Sequence, residues 1–282
     1  MKISRNEILA AVLRRDLRFF IWKAFQTISP GTPFLPNWHI DAIVYQLLQV
    51  HTKKTNRLLV TLSPRSLKSI CVSIAYVAWL LGHDPTRRIV VVSYSNDLSA
   101  DLHRQFRMVI DTPWYRALFP AMRLAKDTDT EVVTSVGGGR CAISIGGTLT
   151  GRGADLIIVD DPLKAEDAGL ELARKRVIDW FCGTLVSRLN DKERDPIIVV
   201  MQRLHEADLA GYLLALEAPR IAGDRRRGKR DPDRAGKVLP SPQGRCIASR
   251  ARESGGPRQD PKRDGRLQVF GTVPAAAPTS AG

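Results

Sequence analysis

The sequence is short of cysteine and of acid. Its four cysteines, Cys71, Cys141, Cys182 and Cys246, stand far apart and form no CxxC pair. That spacing argues against a zinc site and for a reducing cytoplasm. No run of eighteen apolar residues occurs, so no membrane span is expected. The first twenty residues, MKISRNEILAAVLRRDLRFF, scatter charge through every apolar stretch, so a signal peptide is not expected either. Acids number 29 against 43 Lys and Arg, a net charge of +14. The excess is uneven: from Pro219 onward there are 15 Lys and Arg against 6 Asp and Glu, a net of +9. A basic balance favours polyanionic partners.

What is present is an alternation of helices and buried strands. Helical spacing runs through Ile8, Leu9, Val12, Leu13, Leu17, Phe20, Ile21, Ala24 and Phe25, and again through Ile40, Ile43, Val44, Leu47 and Leu48. Apolar runs at 57–62, 87–95, 154–162 and 195–202 read as buried strands. Helices are expected from Ser69 to Leu81, over 96–110 with Asn96 as N-cap, over 167–189 and over 205–217. Residues 131–147 read as a hairpin with a glycine turn. Continuous apolar strands separated by helices predict an α/β fold: a mostly parallel sheet covered on both faces, with ligands at the carboxyl ends of the strands. The expected organisation is an N-terminal helical segment (1–55), an α/β core (56–218) and a basic tail (219–282). That tail has neither period and is expected to be disordered.

Three unusual stretches fall at strand ends. The first is Ser63-Pro64-Arg65-Ser66-Leu67-Lys68-Ser69, between a strand and a helix, the context of a phosphate-binding loop. The usual glycines are missing, since positions 62 and 67 are both leucine. An ordinary backbone conformation is therefore expected at Leu67, because a branched side chain at positive φ is costly. Lys68 would reach phosphates and Ser69 a Mg²⁺ ion; the plain alternative is a helix N-terminus with a solvated lysine. The second stretch, LIIVDD, delivers Asp160 and Asp161 at a strand end. The first acid suits a Mg²⁺-holding role and the second can orient or deprotonate water. Loop capping is the alternative. The third, MQRLHE, places Gln202, Arg203, His205 and Glu206 where the other two converge; for His205 and Glu206 helix capping is an equal possibility. Arg152, between two glycines before the acid strand, is a candidate for a phosphate- or DNA-facing loop, or for a plain connection.

Taken together, PNWHIDAI, RLLVTLSPRSLKS, GGTLTGRGADLIIVDDP, VIDWFCGTLVSRL and PIIVVMQRLHEADLAGYLL resemble, in order and spacing, the ATPase half of the large terminase subunit of tailed bacteriophages over about residues 30–217. The resemblance implies a P-loop NTPase-like motor that hydrolyses ATP with Mg²⁺ to drive double-stranded DNA into a procapsid. It implies that Arg65, Ser66, Lys68, Ser69, Trp38 and His39 contact the nucleotide, the last two on its adenine side. It assigns Ser69 and Asp160 to the metal and Asp161 and Arg65 to catalysis. Gln202, Arg203, His205 and Glu206 would couple hydrolysis to movement. The implied partners are a portal protein, a small terminase subunit and further copies of the chain, in the bacterial host cytoplasm. Many members carry Glu where Asp161 stands. The family's nuclease domain is not legible: no apolar strand after Glu217 ends in an acid, and the expectation is a prophage copy truncated by a frameshift. A helicase-like DNA translocase and a defunct nucleotide- or DNA-binding remnant are the competing readings.

Overall fold

The structure is a computed structural model that describes residues 4–149, 151, 153–217 and 268–270. Its centre is an eight-stranded sheet. The strands are β1 (Arg57–Thr61), β2 (Arg88–Ser93), β3 (Leu124–Asp127), β4 (Glu131–Thr134), β5 (Gly139–Ser144), β6 (Leu156–Asp160), β7 (Ile197–Met201) and β8 (Gln268–Phe270). They lie in the order β3-β4-β5-β2-β6-β7-β1-β8. From β5 through β8 every pairing is parallel, while β3, β4 and β5 form an antiparallel edge. The α/β class with a mostly parallel sheet is therefore as the sequence predicts. β1, β6 and β7 are buried along their whole length, which is why they read as unbroken apolar runs rather than alternating ones.

The helices cover both faces. They are α1 (Arg5–Arg15), α2 (Leu17–Ile28), α3 (Trp38–His51), α4 (Val77–His83), α5 (Asn96–Ile110), α6 (Pro113–Leu118), α7 (Glu171–Trp180) and α8 (Leu209–Glu217). One face of the sheet packs with α1–α5 in a single cluster that joins Leu17, Phe20, Ile43, Leu47, Val72, Ile74, Val91 and Ile158. The other face packs Val92, Ile157, Val159 and Val199 with Val177, Phe181, Leu185 and Leu209. Burying these side chains on two faces is the main favourable term in holding the layers together. Among the described residues no helix is long and apolar enough to cross a membrane.

Several expected elements differ in detail. The first helical stretch is two helices, because Asp16 leaves helical geometry (φ −114°) and its carboxylate accepts from the N–H of Arg18 at 2.8 Å, capping α2. The N-cap of α5 is Ser95, whose hydroxyl accepts from the N–H of Leu98, and not Asn96. The helix expected over 167–189 is broken into α7, a π-helical turn Phe181–Leu185 and a 3₁₀ turn Val186–Arg188. Gly183 sits inside this break, where glycine weakens a regular helix. The hairpin forms as β4–β5, and its turn needs glycine: Gly137 is at φ +87°, and a Cβ at Gly139 would lie 2.0 Å from the Val132 carbonyl.

The basic tail and Arg152 lie outside the described residues, with one exception. Gln268–Phe270 forms β8, parallel to β1 at the sheet edge, where the sequence pattern predicts no strand. Three residues are too few for either hydrophobic period to register.

Candidate active site

Strand β1 ends at Thr61, and the chain turns through residues 62–69 into a helix that is π-helical over Ile70–Tyr76 and continues as α4. The loop closes on itself: the Ser66 hydroxyl donates to the Ser63 carbonyl at 2.8 Å, and the Leu62 N–H ties back to Met201 on β7 at 3.2 Å. Arg65 and Leu67 both have φ of 60°. The expectation of an ordinary conformation at Leu67 is thus incorrect. Left-handed residues interleaved with ordinary ones turn successive backbone N–H groups toward one side, the geometry of an anion-binding nest. Each such non-glycine residue costs on the order of 1–3 kcal/mol. Leu67 packs against the core, and its carbonyl accepts from Cys71 N–H at 2.9 Å.

Of the four non-glycine residues with positive φ among those described, three are in this region, the third being Asp161 at 44°. Concentrated strain of this kind is what a functional site retains.

The acid pair arrives from β6. Asp160 is the last residue of the strand and is 1% exposed. Its Oδ1 accepts from the Ser69 hydroxyl at 3.0 Å and its Oδ2 from the Ser73 hydroxyl at 2.5 Å. Burial, and next the neighbouring Asp161 charge, push the Asp160 carboxyl up to about 7, against the opposing pull of Ser73, Ser69 and Lys68. Asp161 turns the other way. Its Oδ2 lies 2.9 Å from Lys68 Nζ and its Oδ1 accepts the Gln202 N–H at 2.9 Å. Its backbone is pinned between strands, N–H to Val200 O and carbonyl to Tyr94 N–H. The topology explains the meeting. β7 lies between β1 and β6, so the loop after β1, the acids after β6 and Gln202 after β7 end side by side.

Lys68 is therefore not a solvated lysine; it is buried and paired. Arg65 is exposed. His39 reaches the loop, its Nε2 3.1 Å from the Ser66 carbonyl. Trp38, at the start of α3, is 70% exposed and edge-on to His39. Of the third stretch, only Gln202 makes a described contact with the acids. The Arg203 guanidinium lies 3.2 Å from Asp208 Oδ1, His205 Nδ1 accepts the Ala207 N–H at 3.0 Å, and Glu206 is exposed.

Two residues escape a reading of the sequence. Ser73 is the second hydroxyl on Asp160; its spacing of four from Ser69 is the available signal. Asp208 is fully buried and organises the loop after β7, accepting from the N–H groups of Leu204, His205 and Gly211. It performs the capping considered for His205 and Glu206.

Hard oxygen donors, one hydroxyl and one carboxylate, suit Mg²⁺, which is commonly held by one or two carboxylates together with substrate phosphates. Among the described residues no cluster of three or more His, Cys, Asp or Glu offers an all-protein cage. The arrangement can thus hold an anion in the nest, a small cation at Ser69 and Asp160, and a water near Asp161.

No protein-family model matches the chain. A curated relative does: the large terminase subunit of Enterobacteria phage T3, 28% identical over 190 residues, covering 62% of this chain and 29% of that protein. The chain thus spans under a third of that relative's length. Among solved structures, the crystal structure of the HK97 bacteriophage large terminase matches with a TM-score of 0.47 and 17% identity, over 78% of this chain and 45% of that one. The terminase resemblance read from the motifs is also the one the T3 relative's name carries.

Proposed function

We propose that the chain is a terminase-type ATPase that powers movement of double-stranded viral DNA. The observation that carries this reading is the meeting of two motifs separated in sequence: Lys68 with Asp161 at 2.9 Å, beside Ser69 with Asp160 at 3.0 Å. The T3 relative's name, the large subunit of a terminase, supports the terminase reading.

In this reading the loop N–H groups from Arg65 to Ser69 and the Lys68 ammonium hold the terminal phosphates of ATP. Ser69 and Asp160 hold the cation, whose chemistry is to neutralise phosphate charge. The raised affinity of Asp160 for a proton comes from its burial and from the Asp161 charge beside it. Asp161 orients or deprotonates the attacking water, with its Oδ1 held by the backbone N–H of Gln202, the first residue of the coupling segment. The exposed Trp38 ring offers a stacking face to adenine, and His39 ties that end of α3 to the phosphate loop. Arg65, exposed on the loop, is placed to meet phosphate. Arg203, His205 and Glu206 belong to the coupling segment, as a loop that Asp208 holds rigid. The portal protein, the small terminase subunit and further copies of the chain are the partners this reading calls for.

Phosphate release measured with Mg²⁺ and ATP, with and without double-stranded DNA, tests it. Turnover that DNA stimulates is expected. Background-level release under both conditions would reject the ATPase reading, and strand separation in an unwinding assay would move it to a helicase.

A further inference from the structure

Ser73 is 0% exposed, on the helix that leaves the phosphate loop. It lies four residues after Ser69, so the two hydroxyls share a helix face. They divide one carboxylate between them: Ser69 takes Oδ1 of Asp160 and Ser73 takes Oδ2. Nothing else described does this. Ser93 is the nearest alternative, since it follows Val92 on β2 as Asp160 follows Val159 on β6, and those two are paired across the sheet. Yet the Ser93 hydroxyl is buried with no hydrogen-bond partner. The hold on Asp160 therefore comes from two serines of a single helix.

A carboxylate bonded through one oxygen can still turn about its terminal torsion, which is broad and roughly two-fold. Bonded through both, it is fixed. We propose that Ser73 is a positioning residue: by holding Oδ2 from behind, it sets the direction in which Asp160 Oδ1 and Ser69 face a divalent cation. This rests on the reading of Ser69 and Asp160 as the cation site. The physical expectation is that of partners behind metal ligands generally, whose loss costs roughly 10–100-fold in metal affinity. The single helix adds a consequence. A movement that shifts this helix would move both hydroxyls together, so the Asp160 carboxylate, on a strand of the sheet, would keep or lose both partners at once.

The test is Mn²⁺ affinity, read by electron paramagnetic resonance on the full chain in the presence of ATP, for the wild type and Ser73→Ala. ATP affinity in chelator and the thermal melt without ligand serve as controls. The expected result is a folded variant with unchanged metal-free ATP affinity and Mn²⁺ affinity weaker by about tenfold or more. Equal Mn²⁺ affinity in a folded variant overturns the proposal, as does a variant that no longer folds, which would assign Ser73 to the core. If the wild type itself binds no Mn²⁺ with ATP, the underlying reading of the cation site fails instead.

Discussion

Lys68 Nζ and Asp161 Oδ2 are 2.9 Å apart, joining the loop after β1 directly to the acid beside the candidate metal ligand. The pair spends both charges on each other. In the proposed reading, phosphate arriving in the loop would compete for the ammonium and leave Asp161 with the Gln202 N–H, so the acid's surroundings would depend on what the loop holds.

Removal of that ammonium is the first prediction. Lys68→Ala is expected to cut ATP turnover below about a tenth of the wild-type rate, with losses of about 10²–10³-fold typical for a group that stabilises developing charge. The fold should survive, because Asp161 is 29% exposed and keeps its backbone partner. Phosphate release and a thermal melt on the same sample separate the two. A rate near wild type would make the loop an ordinary turn.

The two acids are expected to separate by parameter. Asp160→Asn removes the candidate cation ligand and should weaken Mg²⁺-dependent ATP binding. Asp161→Asn should mainly lower the rate constant at saturating ATP. Titrations of Mg²⁺ and ATP on both variants give the answer. Equal losses of nucleotide affinity would contradict the division of roles.

Much of this site is legible in the sequence because its signals are local. Four buried strands announce themselves by apolar runs, and the acids and Lys68-Ser69 stand at their ends. The rest depends on tertiary geometry. Nothing in the sequence says that Leu67 accepts φ of 60°, since local sterics argue against it and only the surrounding contacts impose it. Ser73 looks like one more small residue in an apolar helix until Asp160 is placed opposite. Asp208 is easily passed over because His205 and Glu206, more conspicuous chemically, precede it. The order β6-β7-β1, which brings the motifs together, follows from strand pairing and not from chain order.

Acid should destabilise the fold through His103. Its ring is buried, with Nε2 3.0 Å from the Thr128 carbonyl and Nδ1 2.5 Å from Arg140 Nη1, so Nδ1 accepts and the ring is neutral. Burial, then the Arg140 charge, lower its pKa to about 4; Arg107 adds to this, while the Thr128 carbonyl and Glu131 oppose it. The unfolded chain, with His near 6.5, binds the extra proton first. Stability from this group is therefore whole above about pH 6.5 and lost as pH falls toward 4, by on the order of 3 kcal/mol at most. Denaturant melts from pH 7 to 4.5 should show this decline, and His103→Gln should flatten it. Parallel curves would show that other groups dominate.

The basic tail carries two separable expectations. Its charge lies within 219–267, because residues 271–282 contain no Lys, Arg, Asp or Glu. Replacing Arg225, Arg226, Arg227, Lys229 and Arg230 with serine should lower the salt dependence of DNA binding, since a chain that neutralises fewer phosphates releases fewer counterions. ATP turnover without DNA should not change. Cutting the chain at 219 is a different experiment. It also removes Gln268–Phe270, which pairs with Leu58–Val60 on the strand that leads into the candidate phosphate loop. That cut exposes an edge of β1 and should lower the melting temperature, whereas a cut at 271 should not. DNA affinity over a salt series and thermal melts of the three variants distinguish these effects. An unchanged salt slope in the serine variant would remove the tail from DNA binding. Equal melting of both truncations would show that β8 adds nothing to the sheet.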